Sequence, residues 1–176
     1  VGPAVTILPA NRSLEAAPWD AVGSRLARSI VVVSALSGGV CHGMTADSFT
    51  LVSRDPPLVM VAVAAGGRTH GVLASAPGFA VSVLTEGQSA VATHFASRRR
   101  PPGWRQFDVV AWQAAPYSGA PVLLDALTWL DCTRRDLVGA GDHVLVLGEV
   151  LSVSSGTRAQ RPLVRYDGHY SALRDG

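Results

Sequence analysis

The densest set of side chains that could do chemistry lies between His42 and Pro57. His42, Thr45, Asp47, Ser48, Thr50, Ser53, Arg54 and Asp55 fall between two apolar runs. Hydroxyls and backbone amides at that density can wrap a polar ligand, and they can equally solvate a loop. Other chemistries are absent. All 15 basic residues are arginine, with no lysine. That excludes a P-loop lysine, a Schiff-base lysine and the protein-kinase lysine. Five histidines and two cysteines show no His-x-x-x-His or Cys-x-x-Cys spacing, so no metal site is expected. Gly139-Ala140-Gly141 lacks the third glycine of a dinucleotide fingerprint, and no Gly-x-Ser-x-Gly elbow occurs. Arg98-Arg99-Arg100 beside Pro101-Pro102 reads as a solvated loop. With a net charge of +2 it does not argue for nucleic acid.

The 176 residues fit one domain, and 48% apolar with 16% charged residues excludes disorder over most of the chain. So few charges cover a surface thinly, which points to burial against a partner, most simply a second copy. Cys41 and Cys132 are too few for a disulfide framework and read as reduced, buried small hydrophobes. No signal-peptide pattern is visible. The longest apolar run, Leu58 to Ala65, is far shorter than the ~18–20 residues of a membrane span. The expectation is a cytoplasmic protein that binds neither membrane nor nucleic acid.

Residues 1–18 read as a flexible arm, followed by a single domain over 19–176. Trp19, Val22, Leu26 and Ile30 recur at helical spacing and predict a helix over 19–29. Strands are predicted at Ile30–Leu36, Val40–Thr45, Leu58–Ala64 and Gly78–Leu84, then near 109–113, 122–124, 127–138, 143–154 and 163–166. Arg68–Ala76 and Glu86–Ser97 read as helices. Thr45–Asp55 reads as a polar stretch whose end is marked by Pro56-Pro57. Many strands joined by short turns give a mainly β fold, an antiparallel barrel with a few peripheral helices.

The ordered motifs go further. His42-Gly43-Met44-Thr45, Ser48-Phe49-Thr50 and Ser53-Arg54-Asp55-Pro56-Pro57-Leu58 are followed by Gly67-Arg68-Thr69-His70. Phe79-Ala80-Val81-Ser82-Val83-Leu84, Gln88 and Phe95-Ala96 come next. Gly119-Ala120-Pro121-Val122-Leu123, Gly141-Asp142-His143, Gly148-Glu149-Val150, Pro162-Leu163-Val164 and Gly168-His169-Tyr170 complete the series. Over about residues 20–173 this order resembles the flavin reductase family, the small reductase components of two-component flavin monooxygenases. The resemblance implies an antiparallel split β-barrel, a homodimer with sites at its interface, and FMN or FAD reduced by NADH or NADPH. It implies a partner monooxygenase that receives the reduced flavin. It also implies that Met44, Thr45, Asp47, Ser48 and Phe49 lie along the flavin. Ser53, Arg68 and Thr69 are implied at its phosphate. His143 is implied at the nicotinamide side, for binding or proton handling, with Tyr170 a weaker candidate for the same pocket.

Asp47 departs from the family's usual asparagine. An ionised aspartate only accepts hydrogen bonds, and beside flavin O2, N1 or phosphate it would repel negative charge. The C-terminal run Arg165-Tyr166-Asp167-Gly168-His169-Tyr170 also departs from the commoner aromatic and arginine pattern. These departures keep two alternatives open: a flavin-binding tailoring enzyme acting on an organic substrate, and a non-enzymatic flavin carrier.

Overall fold

A computed structural model describes residues 21–154, 156 and 160–173. The arm expected over 1–18, and Trp19 of the first expected helix, lie outside the described residues. Residues 21–24 are helical, but strand β1 (Arg28–Ser29) follows, so the helix expected over 19–29 is cut short. Val22 and Leu26 are exposed, and only Ile30 of that period reaches a core. Pairing of β1 with β11 (Leu163–Tyr166) captures Arg28 and Ser29 and overrides the helical spacing.

The main sheet has seven strands in the order β3-β2-β6-β9-β10-β5-β4, every neighbouring pair antiparallel. They are β2 (Val31–Ser37), β3 (Val40–Ala46), β4 (Thr50–Arg54), β5 (Pro57–Ala64), β6 (Gly78–Val83), β9 (Thr128–Ala140) and β10 (His143–Val153). The two edges, β3 and β4, are consecutive in the chain. Four Cα steps from Ala46 to Thr50 reach at most ~15 Å. Laid flat, seven strands would hold their edges roughly 29 Å apart. The sheet therefore curls until its edges approach, a barrel split between β3 and β4.

Helix α1 (Arg68–Ser75) follows β5, and α2 (Ser89–Ala96) follows β6 after a 3-10 turn at Glu86–Gln88. A second 3-10 helix (Gly103–Phe107) precedes the two-stranded ribbon of β7 (Trp112–Ala114) and β8 (Pro121–Leu123). Strand β12 (His169–Ala172) completes a small sheet β1-β11-β12. Strands β1, β4 and β12 were not expected. Each lies at the edge of its sheet, where apolar period is weak, and β4 carries no buried residue.

Strand β2 is buried from Val31 to Ala35 because both its faces are covered. Val31 and Val33 join the core with Val61, Val63, Phe79, Val81 and Leu73 of α1. Ile30 and Val32 face Phe95 of α2, Phe107 and Leu123. Gly43 is required at this second contact: a Cβ there would stand 2.8 Å from Phe107 Cζ and 2.9 Å from Phe95 Cε1.

Candidate functional site

Where β5 ends, the chain turns through 65–67, with Gly66 at φ +73°, and enters α1. This turn, β3 and the loop after α2 enclose a cleft of about 610 Å³. His42, Met44, Arg68, Thr69, Arg98 and Arg100 supply its functional side chains, and no carboxylate lines it. Arg68 and Arg98 are exposed, and their guanidinium groups have no hydrogen bond or ion pair with a described residue. Two free guanidinium groups in a cleft without acid make an anion site, since the planar fork matches phosphate oxygens.

Arg100 behaves differently from its neighbours. It is half-buried, and Nη2 donates to the Gly43 carbonyl at 2.8 Å and to His42 Nε2 at 2.9 Å. Nη1 donates to the Ser97 carbonyl at 2.6 Å. Nε reaches Gln106 Oε1 at 3.4 Å. Gln106 is itself buried and accepts from Gly43 N at 2.8 Å. The expectation of a solvated loop therefore fits Arg99; Arg98 is exposed but lines the cleft, and Arg100 is captured by the fold. What captures it is tertiary: the β3 backbone and the buried Gln106 amide.

A guanidinium only donates, so His42 Nε2 must accept, and the ring proton belongs on Nδ1. Burial, then the charges of Arg100 and Arg68, push the His42 pKa down to about 4. His42 is thus a neutral acceptor at neutral pH. Thr69 Oγ1 lies 3.1 Å from the same nitrogen and 3.2 Å from Met44 Sδ, which fixes the hydroxyl at the cleft wall. His42 and Arg100 were not singled out as site residues. The motif containing His42 gave no reason to separate it from its neighbours, and the prolines after Arg100 suggested solvent.

Met44, Arg68 and Thr69 meet in this cleft. The other expected site residues are dispersed. Thr45 Oγ1 donates to the Ala92 carbonyl at 2.7 Å and fastens β3 to α2. Ser48 donates to the Ala62 carbonyl at 2.9 Å and accepts from Ala62 N at 3.1 Å, pinning the linker between the barrel edges to β5. Phe49 packs on the main core. Asp47 Oδ2 is 3.3 Å from Arg28 Nη1 and 3.9 Å from Arg165 Nη1, so its charge is answered by the small sheet.

Ser53 lines a different, apolar groove of about 430 Å³ with Leu51, Val52, Leu58, Val150 and Val153. Its strand partner Leu58 precedes Ala64 by six residues of β5. That is roughly 20 Å along the strand. Within one chain, Ser53 and Arg68 do not meet at a single phosphate.

His143 opens β10 opposite Ala64, and the Asp142 carbonyl accepts from Ala65 N at 2.9 Å. The hairpin tip thus abuts the turn that carries the cleft, with His143 beside it rather than in its lining. His143 Nδ1 is 2.8 Å from Asp142 Oδ1, and this contact holds the exposed Asp142 carboxyl below its ordinary range. Tyr170 packs against the second core.

Thiol chemistry has no support at Cys41 or Cys132. Cys41 and Cys132 are buried, free thiols pushed up to about 12. Among the described residues, no group of three or more histidine, cysteine or acidic side chains could hold a metal, and no helix is long and apolar enough to cross a membrane. The arrangement can bind and orient a phosphorylated ligand. A flavin nucleotide fits it: guanidinium groups and a hydroxyl for the phosphate, with the Met44 thioether as an apolar wall.

Comparison with known proteins agrees with that chemistry. The profile of the flavin reductase like domain matches residues 23–174. A Streptomyces globisporus protein named as an NADH-dependent FAD reductase is 45% identical over 124 residues, covering 70% of this chain and 68% of its own. A Streptomyces viridifaciens NADPH-flavin oxidoreductase is 42% identical over 146 residues, covering 82% and 74%. The crystal structure of BorF, the flavin reductase component of a bacterial two-component tryptophan halogenase, superposes with a TM-score of 0.85. It is 35% identical over 92% of this chain and all of its own.

Proposed function

This chain belongs to the flavin reductase like domain family, and from that premise we propose that it is an NAD(P)H-dependent flavin reductase. It supplies reduced FMN or FAD to a partner monooxygenase. The observation that carries the binding half of this reading is the cleft with two unpaired arginines and no carboxylate.

Flavin supplies the redox chemistry by accepting hydride from the nicotinamide. The protein's task is to bind, orient and exclude water. Arg68 and Thr69 would hold the phosphate end, and Met44 would flank the flavin. Ser48 ties the linker to β5 and Phe49 packs on the core, which would give the ring a fixed surface. His143 beside the cleft is assigned to the nicotinamide. Tyr170 is a weaker assignment, since it packs against a core. The chain acts as a homodimer in this reading, supported by an exposed apolar groove on the opposite end of β5. The tailoring and carrier alternatives rested on two departures, Asp47 in place of asparagine and the changed C-terminal run from Arg165 to Tyr170. The pairing of Asp47 with Arg28 and Arg165 answers the first of these.

The test is to follow loss of NADH or NADPH absorbance with added FMN or FAD. Catalytic turnover of added flavin is expected. Arg68→Ala should raise the flavin Kd about tenfold, the value of one charged hydrogen-bonding contact. Flavin that binds but is not reduced by either nucleotide would sink the reading.

A further inference from the structure

We propose that Gln106, which does not line the cleft, is a positioning residue for ligand binding there. Its side-chain amide takes the place of a neighbouring strand on the open edge of β3, and in doing so it holds Arg100 as a fixed cation in the cleft wall. The ligand is the flavin of the reading above, on which this step rests.

Strand β3 is an edge of the main sheet, with β2 on one side only. An edge strand turns alternate N–H and C=O groups away from its partner, and buried groups of that kind need other partners. Gln106 lies fully buried beside this edge. Its Oε1 accepts from Gly43 N at 2.8 Å, and its Nε2 donates to the Cys41 carbonyl at 3.1 Å. One amide thus bridges two alternate residues of β3, as a residue of an adjacent strand would. Nε2 also donates to the Gly103 carbonyl at 2.7 Å, and the Gln106 backbone carbonyl accepts from His94 Nε2 at 2.8 Å. A single residue therefore ties the loop after α2 both to α2 and to β3.

Arg100 sits inside that tie. The Gly43 carbonyl, on the same edge, accepts from Nη2, and the Ser97 carbonyl accepts from Nη1. His42 Nε2 and Gln106 Oε1 take the remaining bonds. Burial, then the nearby Arg68 charge, disfavours the charged form of Arg100. These acceptors offset that cost and keep a guanidinium in the wall. Arg68 and Arg98 are free and must surrender rotamer freedom when an anion arrives. Arg100 has surrendered it on folding, so its share of the binding needs no further ordering. Without the Gln106 amide the loop loses its hold on β3, and Arg100 must be ordered by the ligand as the other two are.

A double-mutant cycle on FMN affinity, read from quenching of flavin fluorescence, tests this with Gln106→Met, Arg100→Ala and the two combined. Methionine keeps the length of glutamine and removes its donors and acceptor. Gln106→Met should raise the FMN Kd about tenfold, and the combined variant should be no weaker than Arg100→Ala alone. In NADH turnover, Gln106→Met should raise KM for FMN far more than it lowers kcat, a split that general loosening of the fold would not give. A second measurement uses the wild-type protein. The Arg100 Nε–H, followed by NMR, should exchange with water more slowly than those of Arg68 and Arg98.

Unchanged FMN affinity in Gln106→Met would overturn the proposal, as would additive effects in the cycle. An Arg100 Nε–H that exchanges as fast as the free arginines would overturn it too, and that result decides if Gln106→Met does not fold. Wild-type protein that binds neither FMN nor FAD would overturn the flavin reading itself, whereas FMN binding with an additive cycle removes only the role of Gln106.

Discussion

His42 is a buried histidine surrounded by cations, and the sign of its effect on stability follows from that. The groups packed against it are Arg100 from the loop and Arg68 and Thr69 from α1, with no carboxylate. Its folded pKa of about 4 lies below the ordinary 6.5. Between those values the unfolded chain binds a proton that the folded chain refuses. Stability therefore falls as pH drops from about 6.5 towards about 4, and His42 contributes no slope above that window. One full proton corresponds to a slope of at most about 1.4 kcal/mol per pH unit. His42→Gln keeps an acceptor for Arg100 without a titrating ring, so its urea-unfolding free energy should fall less steeply across that window. Identical slopes would show that His42 is not the responsive group. At this scale the sequence was partly legible. The motif order led to Met44, Arg68 and Thr69, which share the cleft. Arg100 was misread, and the partners of Asp47 were not foreseen, because a side chain's surroundings depend on what the fold brings to it. Nothing in Arg98-Arg99-Arg100 tells the third arginine from the first two until Gln106 and the β3 carbonyl stand beside it. Nothing around Asp47 announces Arg28 and Arg165.

Among the elements, β2, β5, β6, β9 and β10 were legible because they are interior strands of the barrel and each buries apolar side chains. Strand β4 was hidden in a polar stretch because its side chains are mostly exposed and only backbone pairing with β5 defines it. The connection into β8 shows a different device. Asp131 on β9 is fully buried, and its carboxylate accepts from Tyr117 N at 2.6 Å and from Ser118 N at 3.2 Å. These bonds hold the turn at 116–118, which delivers β8 to its place. There Leu123 N donates to Ser82 Oγ at 3.0 Å, and Ser34 Oγ donates to the Pro121 carbonyl. Asp131→Ala would leave both turn amides without an acceptor inside the fold, at a cost of about 2–3 kcal/mol. Asp131→Asn retains one acceptor oxygen and should fall between. Urea denaturation of the three proteins measures this order. An alanine variant as stable as the wild type would mean that water replaces the carboxylate.

For the whole molecule, the composition argument about thin charge now has a location. Leu51 is 72% exposed, Val52 51%, Leu151 42% and Val153 59%. These residues come from β4 and the end of β10, and three of them line the apolar groove that also holds Ser53. Water on such a stripe is unfavourable by ~25 cal/mol per Å². A stable pair of copies must bury roughly 1,000 Å² or more. A second chain meeting this face would cover the stripe. It would also change what Ser53 can touch, since Ser53 stands too far from Arg68 in its own chain to share a phosphate with it. The wild-type protein should therefore show twice the 18.3 kDa chain mass by light scattering. Leu51→Asp combined with Val153→Asp puts two charges into the contact and should halve that mass. If the site is shared across the interface, the same variant should also lose flavin affinity while keeping its circular dichroism. A folded monomer that binds flavin as well as the wild type would show that the arginine cleft is complete within one chain. A wild-type monomer, or a double variant that still pairs, would remove this face from the interface.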